Sequence, residues 1–314
     1  MSADFALFGR DMMGEPITQD GLRARFAVPP FSILSAASGD WQERKRMWLG
    51  YGIRSEVGRS AKAYHINGWL DFKGIKNHPA ASDGISIFDP VLCECCYRWW
   101  CPSGGLIVDP FAGGSVRGIV AGMLGYRYWG CDLREEQILE NRKQAEEIAV
   151  AVKPAWVCGD SRETVPGAPP ADFLFSCPPY GDLEAYSDDP RDISGMDFRA
   201  FVGAYKDIIA KSCERLKQDR FAVFVVGDFR DKRTGFLRNF VSGTISCFKV
   251  AGLQLYNEVI LSTPAASAAI RASKQFTASR KSVRTHQNVL CFVKGRWEGA
   301  VEYIKACEGE SPAP

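Results

Sequence analysis

The sequence has no apolar run long enough to span a membrane, and its first residues do not resemble a secretory leader. It also lacks a large excess of either charge: 39 Lys and Arg face 37 Asp and Glu, a net charge of +2. Neither G-x-G-x-x-G nor G-x-x-x-x-G-K-[ST] occurs. These absences exclude a membrane-spanning chain and a polycation, so any nucleic-acid surface must come from local clustering of basic residues.

Cysteine is abundant, but its eleven copies are scattered and odd in number, which does not fit a secreted disulfide framework. We therefore expect a reducing, cytoplasmic setting. Four cysteines lie close together in sequence: Cys93, Cys95, Cys96 and Cys101. A zinc site is one interpretation, but most of them fall on one predicted helix without paired C-x-x-C knuckles. Cysteine also behaves as a small buried hydrophobe, so we expect no metal.

Strand-like and helix-like segments alternate after residue 86. Seven short apolar runs predict strands: LIVD, RYWGCD, AWVCGD, ADFLFS, RFAVFVVGD, LQLYNEVIL and NVLCFVK. Helical periodicity lies between most of them, which predicts an α/β fold with a doubly wound, mostly parallel sheet. The last two runs have no obvious helix between them, so we expect them to form an antiparallel hairpin at the end of the sheet.

Three regions follow from this pattern. Residues 1–85 are predicted to be an N-terminal extension, residues 86–300 the main domain, and residues 301–314 a tail whose end, EGESPAP, is disordered. The extension holds one short charged helix, DWQERKRMWLGYG. Around that helix lies a basic cluster, which is interpreted either as a nucleic-acid contact or, preferably, as a solvated helix face: Arg44, Lys45, Arg46, Arg54 and Arg59.

A glycine-containing turn, DPFAGG, follows the first predicted strand of the main domain. Its glycines permit close backbone approach to a ligand, and the next helix offers free amides at its N-terminus. Acidic residues end the next two strands, where an α/β sheet binds ligands. The candidate cofactor-binding residues are Asp109, Phe111, Ala112, Gly113, Gly114, Asp132, Leu133, Asp160 and Ser161. Asp132 could accept hydrogen bonds from both hydroxyls of a ribose, whereas a plain structural turn is the alternative.

DPFAGG and the downstream SCPPY together resemble motifs I and IV of the S-adenosylmethionine-dependent DNA amino-methyltransferases. The segment SIFDPVLCE, with Phe88, resembles the part that closes the methionine end of the cofactor pocket. RTHQNVLCFVKG resembles the terminal strand of that family. The resemblance covers roughly residues 86–295 and implies a class I methyltransferase sheet, S-adenosylmethionine as cofactor and DNA as partner. Ser115 departs from the family pattern F-x-G-x-G, which is tolerable if the helix begins there.

The resemblance implies a catalytic role for Cys177, Pro178, Pro179 and Tyr180. An amino group on a base is a poor nucleophile, so such an enzyme grips its two hydrogens and directs its lone pair at the methyl group. The side chain of Cys177 and the carbonyl of Pro178 would provide this grip, and Tyr180 would stack on the flipped base. Two consecutive prolines keep these acceptors rigid, so catalysis would consist mainly of positioning.

Cys177 stands where the family has Asp, Asn or Ser, and a thiol is a weak acceptor. It could replace serine with some loss of grip. It could instead be a nucleophile for C5 methylation of a pyrimidine, although C5 enzymes carry their cysteine in a Pro-Cys setting. A third interpretation is an enzyme that is slow, altered in target or inactive.

Between Glu258 and Glu298 there is no acidic residue. This window includes a serine-rich basic loop, predicted at 262–286, that would stand over the active site if the preceding strand is parallel to the others. Its candidate phosphate contacts are Arg271, Lys274, Arg280, Lys281, Arg284 and His286. His286 could instead fix the loop. The acidic stretch GDLEAYSDDPRDIS after Tyr180 is interpreted either as a lid or as a solvated loop.

The sequence thus predicts a methyltransferase acting on N4 of cytosine or N6 of adenine in DNA. An RNA base methyltransferase and a catalytically inactive DNA-binding relic are the alternatives. Cofactor binding distinguishes the relic from both enzymes, and the methylated nucleic acid distinguishes the two enzymes from each other.

Overall fold

The computed structural model describes residues 26–54, 88–181, 187–263 and 266–309. Eight strands form one sheet. They are β1 (Ile33–Ser35), β2 (Leu106–Asp109), β3 (Arg127–Asp132), β4 (Ala155–Cys158), β5 (Ala171–Ser176), β6 (Leu216–Val226), β7 (Leu253–Ser262) and β8 (His286–Lys294). Their order across the sheet is β1-β7-β8-β6-β5-β2-β3-β4. Strand β8 runs antiparallel to β6 and β7, and the other pairings are parallel.

Nine α-helices accompany these strands in the described part of the chain. They are α1 (Gly39–Gly50), α2 (Pro90–Trp100), α3 (Val116–Met123), α4 (Glu135–Glu147), α5 (Ser161–Thr164), α6 (Phe198–Arg215), α7 (Phe240–Val250), α8 (Ala266–Ser279) and α9 (Trp297–Gly309). Short 3-10 turns cover Val165–Gly167 and Ile193–Gly195. Within these residues, no helix combines the length and apolar character needed to cross a bilayer.

The two faces of the sheet bury separate cores. Helices α1 to α4 and α9 supply apolar residues to one core, whereas α6 and α7 supply the other. The central strands β2 and β5 are buried throughout, which explains their continuous apolar sequences. The predicted α/β fold with a doubly wound, mostly parallel sheet is therefore confirmed.

Helix α2 begins with a side-chain cap followed by a proline. The carboxylate of Asp89 caps it by accepting hydrogen bonds from the amides of Val91 (3.0 Å) and Leu92 (3.4 Å), and Pro90 occupies the first helical position. This cap fixes the start of α2 beside Phe88, at the edge of the sheet that carries the site.

The sheet differs from the prediction in two respects. It has eight strands rather than seven, because β1 from the N-terminal region pairs in parallel with the outer strand β7. The last two strands do pair with each other, but helix α8 lies between them where the sequence predicted only a loop. Alanine-rich sequence in 266–279 favours this helix over the predicted irregular loop.

Two further segments also depart from the sequence pattern. The apolar pattern of FLRNFVSGTISCFKVAG favours a helix from Phe236, but α7 begins only at Phe240, because Leu237 pairs with Arg230 in an antiparallel bridge. Helix α9 continues across position 300, where the sequence placed the start of the tail. Its Tyr303 ring packs 3.5 Å from the guanidinium carbon of Arg220. The end of the predicted tail, residues 310–314, lies outside the described residues.

Candidate functional site

A cavity of about 470 Å³ opens at the carboxyl ends of the parallel strands. Of the fourteen residues predicted from sequence to bind cofactor or act in catalysis, eleven line it. They are Phe88, Phe111, Gly113, Asp132, Leu133, Asp160, Ser161, Cys177, Pro178, Pro179 and Tyr180. Asp109, Ala112 and Gly114 do not line it. The glycine turn and the Cys-Pro-Pro-Tyr segment therefore face one common space, because β2 and β5 are neighbours in the sheet.

The glycine turn after β2 is held by the strand and helix beside it. Gly113 adopts a positive φ of 50°, which a residue with a side chain rarely adopts. Its amide donates to Oδ2 of Asp132 (3.1 Å), and its carbonyl accepts from Nδ2 of Asn141 (2.8 Å). Ser115 directly precedes α3 and is buried, so the departure from the family's glycine pattern falls at the helix start.

Asp109 lies beneath the cavity, in a buried polar network. Its carboxylate accepts hydrogen bonds from Nε of Arg117 (2.6 Å), the hydroxyl of Tyr128 (2.7 Å), the hydroxyl of Ser176 and the amide of Phe111. This residue therefore links the ends of β2 and β5 to Tyr128 near the start of β3 and does not face the cavity.

Two members of that network, Arg117 and Phe111, also line the cavity, and Arg117 carries the charge. The Arg117 guanidinium donates to the carbonyls of Phe111 and Ala112 and lies 4.8 Å from the centre of the Phe88 ring. Burial lowers the pKa of this group, but the carboxylate of Asp109 outweighs burial and raises the pKa well above its ordinary value. The floor of the site thus carries a permanent positive charge.

The two acidic residues at the ends of β3 and β4 are used differently. Asp132 accepts hydrogen bonds from the amides of Gly113 and Arg134, and its side chain keeps 17% of its surface exposed. Asp160 is 6% exposed and is gripped by the amide and guanidinium of Arg162. Burial raises the pKa of Asp160, but the hydrogen bonds from Arg162 bring it below its ordinary value. Asp132 is therefore the more accessible acceptor for ligand hydroxyls.

Cys177, Pro178, Pro179 and Tyr180 extend the end of β5 into the cavity. The Tyr180 hydroxyl accepts a hydrogen bond from Nε2 of Gln287 (3.0 Å) and lies 3.9 Å from Sγ of Cys177. The Tyr180 ring packs against the rings of Phe229 (6.5 Å between centres) and Phe240 (6.2 Å). These contacts fix the plane of the ring, as a stacking surface for a base requires.

Several residues of the cavity wall were not predicted. Gln287 and Thr263 come from β8 and the end of β7, while Ala36, Gln42 and Lys45 come from the N-terminal region. The only sequence signal for Gln287 was its place in RTHQNVLCFVKG. Lys45 belonged to the predicted basic cluster, but no signal placed it at the cofactor cavity. Part of the predicted extension is thus a wall of the site.

Three basic residues of the N-terminal cluster form ion pairs with the main domain, whereas Arg46 is exposed and donates to the carbonyl of Gln42 (3.3 Å). Arg44 bonds the buried carboxylate of Glu94, Lys45 lies 3.0 Å from Asp89, and Arg54 pairs with Glu147. Arg59 of the same predicted cluster lies outside the described residues. These pairs anchor α1 and its flanks rather than forming a free basic face.

The predicted phosphate-binding residues extend from α8 to the start of β8. Arg271 and Lys274 lie exposed on α8, and Arg280 follows that helix with a positive φ of 55°. Arg284 contacts both Nε2 of His286 (3.0 Å) and Oδ2 of Asp228 (3.8 Å). Strand β7 is parallel to β6, so this basic segment does leave from the edge of the sheet that carries the cavity.

The predicted acidic lid is only partly described, because residues 182–186 lie outside the described part of the chain. Beyond them, Arg191 and Asp192 line the cavity. Arg191 donates to Asp189 through its backbone and side chain, and these hydrogen bonds lower the pKa of that carboxyl to about 2. At least one cation therefore accompanies the acids of this stretch at the cavity.

The four neighbouring cysteines are all buried in or just after α2, where they pack in the core. Across the described ranges, no group of three or more His, Cys, Asp or Glu residues is arranged to hold a metal ion.

No protein-family model matches the chain, and no curated protein matches it. Similar solved structures include TrmN from Thermus thermophilus, with 15% identity, 66% of this chain covered and a TM-score of 0.44; the chain spans 49% of TrmN. A TehB-like SAM-dependent methyltransferase from Corynebacterium glutamicum has 17% identity and a TM-score of 0.42, and the match covers 73% of this chain and 96% of that protein. Magnesium protoporphyrin IX methyltransferase (ChlM) from Synechocystis PCC 6803, solved with bound SAM, has 11% identity and a TM-score of 0.40. The match covers 80% of this chain and 90% of that protein. Similarity at this level describes general architecture and assigns no substrate.

Proposed function

We propose that this protein transfers a methyl group from S-adenosylmethionine to an exocyclic amino group of a DNA base, N4 of cytosine or N6 of adenine. One observation carries the proposal: a glycine turn with strand-end acids and a Cys-Pro-Pro-Tyr segment line the same cavity. The first set suits a nucleoside-containing cofactor, and the second suits a planar base bearing an amino group.

The cavity residues fit the cofactor in chemistry and placement. Gly113 brings backbone close to the space without a side chain, and the exposed part of Asp132 offers acceptors for ribose hydroxyls. In this scheme Asp160 and Ser161 would face the adenine, and Phe88 and Arg117 would face the methionine end; all four line the cavity. When bound, S-adenosylmethionine would supply an electrophilic methyl group on its sulfonium, and the base nitrogen that accepts this methyl would release its surplus proton to solvent.

The protein's own contribution is to hold the amino group. The carbonyl of Pro178 and the thiol of Cys177, both at the end of β5, would accept hydrogen bonds from the two N–H groups of the amino group. Pro178 and Pro179 restrict the backbone that carries these acceptors, so little reorganisation is needed at the moment of transfer. Because sulfur is a weak acceptor, the Pro178 carbonyl carries most of the grip in this scheme.

Tyr180 would form the stacking surface for the flipped base. Gln287 holds its hydroxyl, and Phe229 and Phe240 support its ring. A base stacked on an aromatic side chain gains about 1–3 kcal/mol. That gain offsets part of the cost of removing the base from a duplex, which is a few kcal/mol.

DNA is the proposed substrate because basic side chains flank the cavity on the segment between β7 and β8. Lys and Arg neutralise phosphates without reading sequence, so these residues would set affinity and salt dependence. The same charges would also attract RNA, which makes RNA methylation the principal competing outcome of the test below.

Labelled S-adenosylmethionine, offered with mixed-sequence duplex DNA or with total RNA, tests the proposal. Nucleosides from each product are then separated by mass spectrometry. We expect an N-methylated cytosine or adenine in DNA from the wild type and none from Tyr180→Ala. Label in RNA alone would show that RNA, and not DNA, is the substrate. Cofactor binding without methyl transfer to either nucleic acid would identify an inactive relic.

A further inference from the structure

Residues 229–238, between β6 and α7, form a short hairpin that we call the finger. Arg230 and Leu237 pair across it in antiparallel fashion. The amide of Asp231 donates to the carbonyl of Phe236 (2.9 Å), and the amide of Arg238 donates to the carbonyl of Phe229 (2.9 Å). The finger is therefore a defined element at the edge of the sheet that carries the cavity.

The tip of the finger is braced by its own polar groups. Oδ1 of Asp231 accepts hydrogen bonds from the amides of Arg233 (2.7 Å) and Thr234 (2.8 Å), and its Oδ2 pairs with Arg238 (2.8 Å). Gly235 supplies the positive φ of 76° that the turn requires. The hydrogen-bonded turn therefore holds residue 236 in one place.

This fixed position leaves Phe236 76% exposed, with Leu237 beside it at 42%. A single exposed apolar residue is common on protein surfaces and needs no explanation by itself. Here, however, the ring is presented by a braced turn next to a cavity, which makes its position relevant to a ligand in that cavity.

The base of the finger packs against Tyr180, a residue of the cavity wall. Phe229 is only 5% exposed and packs against the rings of Tyr180 and Phe240. It also closes on Gly181, where an added Cβ would come within 3.0 Å of the Phe229 ring. The base of the finger therefore contacts the tyrosine that is proposed to stack on the target base.

Basic side chains surround the finger. Arg230, Lys232 and Arg233 belong to it. The ammonium group of Lys281 lies against Gly235, which joins the finger to the basic segment after α8. Exposed aromatic rings among Lys and Arg are the combination that binds nucleic acid, because the cations pair with phosphates and the ring stacks on bases.

We propose that Phe236 stacks on a base of duplex DNA next to the flipped target, while the basic residues of the finger contact the flanking phosphates. Flipping the target leaves its neighbours without a stacking partner, and an apolar wedge at that step recovers part of the loss. The proposal rests on the proposed function, since it places DNA in the cavity.

Two variants test the role of the ring: Phe236→Ala removes it, and Phe236→Trp enlarges it. Val250→Ala is the matched control, because Val250 is exposed to a similar extent (71%) but lies at the opposite end of α7 from the finger. Filter binding to a mixed-sequence DNA duplex with saturating S-adenosylhomocysteine gives affinity, and methyl transfer to plasmid DNA gives kcat/KM. Calorimetry with S-adenosylhomocysteine and thermal melting check cofactor binding and folding.

We expect Phe236→Ala to weaken duplex binding and kcat/KM by about 5- to 150-fold, the range given by the loss of one base–aromatic stack. Phe236→Trp should retain both within about threefold, and Val250→Ala should match the wild type. Wild-type affinity in a folded Phe236→Ala variant would overturn the proposal, as would a loss seen with RNA but not with DNA. The binding measurement decides the matter even if the wild type transfers no methyl group, an outcome that would overturn only the proposed function.

Discussion

Asp132→Asn should weaken cofactor binding without unfolding the protein. The carboxylate has two oxygens: one accepts from the amide of Gly113 (3.1 Å) and the other from the amide of Arg134 (2.9 Å). Asparagine has one acceptor oxygen and turns an NH2 group toward the other position. It can therefore keep one backbone bond, but it loses the charge and the second acceptor that would face the ribose hydroxyls.

The size of the effect follows from that loss. A hydrogen bond to a charged group contributes about 1.5–3 kcal/mol, which corresponds to roughly 10- to 150-fold in Kd. Isothermal calorimetry with S-adenosylhomocysteine measures it directly. Glu136→Gln is the charge-matched control, because Glu136 lies exposed on the first turn of α4 and should leave Kd unchanged.

A second ligand separates a direct contact from an effect through the glycine turn. The 2′-deoxy analogue of S-adenosylhomocysteine lacks one of the hydroxyls that Asp132 would hold. If Asp132 contacts the ribose, this analogue should lose less affinity than the parent ligand when Asp132 becomes Asn. Equal losses for both ligands would mean that Asp132 acts only by holding Gly113, and an unchanged Kd would refute its place in the cofactor site.

Three further predictions concern other parts of the molecule. Asp172→Asn should lower the free energy of unfolding by about 1.5–3 kcal/mol, measured by urea denaturation at pH 7, because this buried carboxylate accepts from the amide of Leu106 and from Lys217. Burial raises the pKa of Asp172, but these partners bring it below its ordinary value. The contribution of the carboxylate to the free energy of unfolding should therefore be complete above about pH 4 and should disappear as the pH falls through the lowered pKa. A difference in stability between variant and wild type that persists at low pH would contradict this. Gln287→Leu should lower kcat of methyl transfer more than it raises KM for DNA, because it frees the Tyr180 hydroxyl, whereas an unchanged kcat would show that this hydrogen bond is dispensable. Replacing Arg280, Lys281 and Arg284 together by Ala should reduce the slope of log affinity against log salt concentration by up to about three. An unaltered slope would mean that the DNA binds elsewhere.

The sequence was most informative where parallel strands end. Continuous apolar runs such as ADFLFS predict buried central strands, and their carboxyl ends necessarily meet at one edge of the sheet. The residues that follow each strand could therefore be assigned to one site before any contact was known. Cys177 and Gly113 line one cavity for this reason.

Contributions from distant segments could not be predicted, because they depend on how strands pair. Gln287 reaches Tyr180 only because β8 starts beside the end of β7, with His286 paired to Ser262. Strand β1 has three residues, too few for a recognisable alternation, so the approach of Lys45 to the cavity had no sequence signal.

Asp109 shows a different limit. Its place after a strand resembles that of a ligand-binding acid, but four hydrogen bonds within the protein occupy its carboxylate. The finger was missed because Phe236 and Leu237 extend the apolar pattern of α7. The turn residues Asp231 and Gly235 were the signal that the helix had not yet begun.

The central claim is that Cys177 grips an amino group and does not attack a carbon atom, and the methylated atom of the product tests it most directly. DNA treated with wild type and with Cys177→Ser should be hydrolysed and its nucleosides identified by mass spectrometry. The account predicts an N-methylated cytosine or adenine from both proteins, since a serine hydroxyl accepts at least as well as a thiol. An inactive Cys177→Ser, together with 5-methylcytosine from the wild type and covalent trapping by a 5-fluorocytosine duplex, would contradict it, because only a thiolate nucleophile gives that combination.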